Sequence, residues 1–265
     1  MMRSVFTKTL YEKRLFVVGW SLGMMALAML MASFYPAMHQ DGSLDALVKN
    51  MPAAFQGLVG SLANLKQFDT YIASQLFDIR VPLIAGIMAI ILGLGLSTKE
   101  EEDGELRTLV ALPISRSKIF FEKWFAMIAI MALIALGLLS GIYVVLPFLS
   151  DATIELKDAL MLVAITWLIM VTYGTITFGV GMLTGRRAWA SFIGTFVIIG
   201  SFLLSTFSQA VDWLKDYESW SLLHYFPALE IIESGINWQD IAVLSAVTVT
   251  TLIMSWAIFN HRDIN

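Results

Sequence analysis

The sequence predicts an all-α membrane protein, a single domain over residues 1–265 built on six transmembrane helices. Two observations carry this. Of the 265 residues 58% are hydrophobic and only 14% are charged, whereas a soluble domain carries about 25% charged residues. The few charges also leave six long uncharged stretches: Leu15–Gln40, Val81–Thr98, Trp124–Ser150, Ala159–Gly185, Ala188–Val211 and Ile241–His261. A bilayer core of about 30 Å needs roughly 20 apolar residues in a helix. Runs such as Met24–Ala32 lack the residue-by-residue alternation of a spanning strand.

The spans are expected at 15–37, 78–98, 124–149, 159–185, 188–211 and 241–260. Residues 1–14 mix Val5, Phe6 and Leu10 with Arg3, Lys8, Lys13 and Arg14, which suits a short amphipathic helix in the membrane interface. The first span reads as an anchor, because its apolar run exceeds the about 7–15 residues of a cleaved signal core. The second is the shortest and is expected to extend back toward Tyr71, with Asp78 and Arg80 at the outer boundary. Asn50–Leu65 is also uncharged, but Pro52, Gln56, Gly57 and Gly60 mark it as an external segment. Between spans five and six, Trp213, Trp220, Tyr225 and Trp238 predict a short segment held at the outer face, where such rings concentrate. Glu230 and Glu233 are read as wetted there.

Six spans put both termini on one side. That side carries twelve Lys and Arg against five on the other, so both termini are expected in the cytoplasm. Other classes are disfavoured. There is no cysteine, and His39, His224 and His261 lie far apart. The net charge of −4 gives no basic face for nucleic acid. No Gly-x-x-x-x-Gly-Lys-Ser/Thr run occurs, so no P-loop for ATP is expected. The mid-portions of the spans hold no ionisable carboxylate or amine, the groups by which ion-coupled carriers usually work.

Small-residue pairs, Gly19/Gly23, Gly137/Gly141 and Gly181/Gly185, allow close helix packing, and packing within the chain is the expected use. On span five Ser191, Thr195, Ser201, Ser205 and Ser208 share a broad arc with Ile198 and Phe202. These hydroxyls are candidates to line a path, although hydroxyls also bond back to their own helix.

The loop 99–123 between spans two and three is the most informative stretch. Five acids, Glu100, Glu101, Glu102, Asp103 and Glu105, surround Gly104. Leu106, Leu109, Val110 and Pro113 follow at i, i+3, i+4 and i+7, one apolar face of a short helix. Pro113 ends it, and Ser115 suits the cap of the next helix, which Arg116, Lys118 and Lys123 carry to the membrane. The apolar face packs either on the protein's own helices or on a cytoplasmic partner. Adjacent glutamates on a loop are read first as solvated; a hard-cation site is the lesser reading.

This run resembles the loop of ABC-2-type transporter permeases, through Glu100–Glu102, Gly104, Leu106, Leu109, Leu112, Pro113, Ser115, Arg116, Ile119 and Lys123. Asp103 before the glycine and Leu106 after it depart from the usual pattern. Span two with Pro82 is similar to the family's second span, and Phe259, Arg262 and Asp263 match its usual tail. The resemblance implies an exporter subunit of a prokaryotic plasma membrane that binds no cofactor itself. ATP and Mg would sit on a separate cytoplasmic ATPase. A second copy or a homologous permease would complete the transporter. Residues 1–14 would be the elbow helix and 99–123 the coupling loop, with Glu100, Glu101, Glu102, Gly104, Leu106, Leu109, Val110, Pro113, Ser115 and Arg116 coupling to the ATPase. The competing readings are a permease-like scaffold or signalling protein and, less favoured, an intramembrane enzyme, which would need histidines near the glutamates.

Overall fold

Among the described residues, six helices are long and apolar enough to cross a membrane. The computed structural model describes residues 4–36, 67–78, 80–104, 106, 114–149, 152–208 and 210–262. Asn50–Leu65, expected to be an external segment, therefore lies outside the described residues, as do Leu109, Val110 and Pro113.

Helix α1 (Val5–Glu12) begins where Ser4 turns extended and its Oγ accepts from the Thr7 N–H at 3.2 Å, covering one of the amides that a helix start leaves bare. A bend at Lys13 leads into α2 (Arg14–Ser33), the first span. The second span combines α3 (Phe68–Ile72), a π-helical turn (Ala73–Phe77) and α4 (Arg80–Leu96), so the chain is helical back past Tyr71. In the π-helical turn the Asp78 N–H reaches the Ala73 carbonyl at 2.9 Å. Arg80 holds the turn by donating to the carbonyl and side chain of Gln75. At Ser97 the helix breaks, and α5 (Thr98–Glu102) follows at once.

Span three, α6 (Arg116–Val145), starts well before the uncharged stretch, because Ser115 caps it and its charged first turns find partners. Spans four, five and six are α7 (Leu156–Thr184), α8 (Arg187–Ser208) and α11 (Trp238–His261). Only Gly185 and Arg186 separate α7 from α8, and Gly185 takes the left-handed conformation that a tight helix end requires.

Span four is the centre of the bundle and packs on spans two, three, five and six, while span one lies against span three. The reason is chemical as much as topological. Thr166, Thr172, Thr175 and Thr177 on α7 are all buried. Thr166, Thr172 and Thr177 bond back to carbonyls on their own helix, and Thr172 meets the Thr248 hydroxyl of span six at 2.9 Å. Thr175 accepts from the Trp124 indole of span three at 2.9 Å. In hydrocarbon such groups need protein partners, and each modest bond selects an interior position.

The glycine pairs divide. A Cβ on Gly137 would sit 2.6 Å from the Ser21 carbonyl oxygen, and one on Gly141 would collide with the Met25 carbonyl, so this pair brings α6 against α2. Gly181 and Gly185 face the α4–α5 junction. Gly19 and Gly23 have nothing within 4 Å. The exposed side of α2 carries Leu15, Val18, Leu22 and Leu30, and that of α8 carries Phe192, Phe196, Ile199 and Leu203.

After span five the chain turns back along it. Short helices α9 (Asp212–Lys215) and α10 (Ala228–Ser234) flank 3-10 turns at Glu218–Trp220 and Leu222–Tyr225. Ser221 donates to the Ser201 carbonyl at 2.8 Å and the Leu222 N–H donates to the Ser201 Oγ at 3.2 Å. Ser201 lies seven residues before the end of α8, about 10 Å down the helix at 1.5 Å per residue. Trp213, Trp220 and Trp238 stay exposed. Lys215 donates to Asp212 at 2.8 Å and holds that carboxyl below its usual range.

Candidate functional site

Both described ends of the chain, α1 and the tail after α11, meet the loop region at one end of the bundle. There α5 presents Glu100, Glu101 and Glu102 in succession. Successive helical residues point about 100° apart, so the three carboxylates fan out, each to a base from a different span. Glu100 pairs with Lys123 of α6, both groups buried. Glu101 pairs with Arg262, each side chain 15% exposed. Glu102 meets Arg187 at the start of α8 at 3.7 Å, with side chains 48% and 55% exposed. The expectation of three solvated glutamates is thus corrected: the first is enclosed, the second largely so, and only the third is wet. Because they diverge, they do not converge on a cation, and no cluster of three or more His, Asp or Glu suited to a metal occurs among the described residues.

The same bases also cover helix ends. The last carbonyls of a helix have no partner within it and carry partial negative charge. Lys123 donates to the Leu96 carbonyl of α4 at 3.2 Å, and Lys13 approaches that of Gly95 at 3.5 Å. Arg262 donates to the Met182 carbonyl of α7 at 2.8 Å. Arg116 donates to the Arg262 carbonyl at 2.6 Å and approaches that of Asn260 at 3.4 Å, at the end of α11. Ser117 meets the Asn260 side chain at 3.2 Å and accepts from the Trp256 indole at 3.0 Å. Beneath this layer Phe120, Phe178 and Phe259 are fully buried, with Phe120 5.2 Å from Phe178 and 5.7 Å from Phe259 between ring centres.

Helix α1 rests on the same end. Val5 and Thr9 are buried, and Glu122 of α6 accepts from the Phe6 N–H at 3.1 Å, a carboxylate set at a helix start where it is favoured.

This layout sorts the sequence-predicted residues. Ser115 caps α6, and Arg116 faces the tail. Gly104 adopts φ +75°, with open space where a side chain would be. Leu106, the first apolar residue after the acids, is fully buried in the chain's own core. The span-five hydroxyls do not share one environment. Ser201 and Ser208 are buried, Ser201 bonded to Ser221 of the segment that follows the helix and Ser208 to the Ser205 carbonyl. Ser191 and Ser205 are half-buried, and Thr195 lies on the exposed side. Lys123 and Arg262 were read from sequence only as matches to the family's loop and tail, and Arg187, Ser117 and Asn260 were given no site role. The signal was there in part, since three consecutive acids need three bases and three spans end at this face with bare carbonyls.

A family model described as "ABC-2 family transporter protein" matches residues 6–264. The chain belongs to the ABC-2 transporter family. It is a multi-pass membrane permease of that family, with its six apolar helices as candidate spans. No curated protein matches the chain. The acid-rich loop and the tail motif are two of the points of resemblance read from sequence, and the structure brings them into direct contact through Glu101 and Arg262.

Proposed function

We propose that this ABC-2 permease forms one membrane-spanning half of an ATP-driven exporter in a prokaryotic plasma membrane, with both termini in the cytoplasm. A separate ABC ATPase carries ATP and Mg, and a second copy or a homologous permease completes the path. The observation that supports this reading most is the bonding of loop 99–123 to the ends of spans two, three, five and six, within a chain matched by the family model almost end to end. A loop so attached is suited to carry a push from outside into the bundle. The ATPase-docking face falls to Leu109, Val110 and Pro113, since Leu106 is buried. Helix α1 serves as the elbow beside it. On span five, Thr195 and Ser191 are the hydroxyls best placed to meet cargo, because Ser201 and Ser208 are engaged inside the chain.

The test is co-purification of the cognate ATPase with the permease. A Leu109→Asp, Val110→Asp double variant should abolish it, and intact binding would sink the docking assignment. Transport into vesicles should require ATP hydrolysis; full-rate movement without nucleotide would exclude an ATP-driven exporter.

A further inference from the structure

We infer that the polar residues flanking the loop form a joint behind the docking face, with Arg262 as the positioning residue that ties both feet of the loop to the chain's tail. The inference rests on the coupling role proposed above for the loop.

The loop has one foot at α5 and the other at Ser115–Ser117. From the first foot, Glu101 pairs with Arg262. From the second, Arg116 donates to the Arg262 carbonyl and Ser117 bonds the Asn260 side chain. Both feet therefore stand on the same three residues of tail, 260–262. Arg262 extends the connection to span four through the Met182 carbonyl. A displacement of the loop cannot leave this tail behind without breaking an ion pair at one foot or hydrogen bonds at the other.

The site is shaped for this arrangement. Glu101 Oε2 is buried with no hydrogen-bond partner among the described residues, so Arg262 is the group that holds this charge in place. Gly185 sits against the pair. A Cβ there would lie 2.8 Å from both Arg262 Nη1 and Glu101 Oε1, so no other residue leaves the pair its room. Gly181, one turn earlier, likewise clears Ser97 at the α4–α5 break. A low-exposure pair in such a seat is out of reach of a partner's surface. It is placed to carry force, because an ion pair shielded from water is weakened little by salt.

The test uses the full chain with its co-purified ATPase in nanodiscs. The native sequence has no cysteine, so spin labels on Lys99→Cys and His261→Cys, both exposed positions, report the loop-to-tail distance without background. One narrow distance distribution is expected with and without ATP and vanadate. In Arg262→Gln, and in the near-isosteric Glu101→Gln, the ATPase should still co-purify, but the distribution should broaden and its nucleotide-free and nucleotide-bound forms should separate. Arg262→Lys, which keeps the charge, should restore the narrow form; a merely structural role would not predict this rescue together with retained ATPase binding. An unchanged distribution in both glutamine variants would overturn the joint. Loss of ATPase binding in them would overturn it too, by assigning these residues to the docking surface. If the unmodified chain binds no ATPase, the coupling reading fails, and the nucleotide-free comparison still decides whether the joint exists.

Discussion

Replacing Lys123 by methionine should be among the most damaging single changes at the terminal end of the bundle. The Lys123 side chain is wholly inaccessible, pairs with Glu100 and donates to the Leu96 carbonyl. Met preserves the stem's apolar packing and removes only the ammonium. What remains is a carboxylate enclosed without its partner, and breaking such a pair from one side costs about 3–5 kcal/mol. The bared carbonyl adds about 1 kcal/mol, the net worth of a typical hydrogen bond. The Lys123→Met, Glu100→Leu double variant removes both charges and keeps only the second penalty. Replacing a buried pair by apolar groups is neutral or stabilising by about 1–4 kcal/mol, so the double variant should recover at least half of the loss. Reversible unfolding in mixed micelles, followed by tryptophan fluorescence, measures both. Salt supplies a control: the cost at Lys123 should persist in 1 M salt, where the Debye length falls to about 3 Å and exposed pairs are screened. The more exposed Glu102–Arg187 pair should contribute about 0–1 kcal/mol and fade under the same conditions. A single variant within about 1 kcal/mol of the parent, or a double variant worse than the single, would refute the reasoning.

The same unfolding assay should separate the glycine pairs: Gly137→Ala and Gly141→Ala should each cost about 1–3 kcal/mol through overpacking against α2, whereas Gly19→Ala and Gly23→Ala should stay within about 0.5 kcal/mol. Gly185→Ala should lose about 1–2 kcal/mol from its left-handed backbone alone, and should also displace the Glu101–Arg262 pair, seen as faster proteolysis of the tail. Single cysteines at Lys118 and Trp213 should react with a membrane-impermeant maleimide from opposite sides of oriented vesicles, and labelling of both from one side would overturn the six-span topology.

The spans were legible because hydrocarbon imposes a simple rule on a chain: about 20 uncharged residues per crossing. Their charged ends were not, because that rule falls silent where charge returns. Arg116–Lys123 looks like a solvated flank in sequence, yet it is the first two turns of span three, with Lys123 enclosed and Arg116 bonded to the tail. The apolar face Leu106, Leu109, Val110 and Pro113 was visible as a period, but a period cannot say what buries it, and Leu106 is buried by the chain itself. The span-five hydroxyls, one arc on a helical wheel, fall in different environments for the same reason. Ser201 serves the turn at Ser221–Leu222, a contact twenty residues away that no helical wheel displays. Glu100–Glu102 were visible as a charge run, and only the fold reveals that consecutive positions take partners from three helices.

The cytoplasmic placement proposed for this end follows from counting bases, and the geometry supplies a second reason for bases to gather there. Spans two, four and six all finish at this end, so three sets of bare carbonyls converge on one layer. Each is met by a base from elsewhere in the chain: Lys123 on α4, Arg262 on α7, Arg116 on α11. Of the helices that begin at this end, α1 and α6 meet an acid or a neutral cap, Glu122 and Ser115, as the helix dipole favours, and the base that opens α8, Arg187, is faced by Glu102. Under the proposed orientation, the charges that orient the chain are the same ones that close its helix ends. Removing a base from this layer should therefore loosen a helix end as well as weaken the charge bias on which the proposed orientation rests.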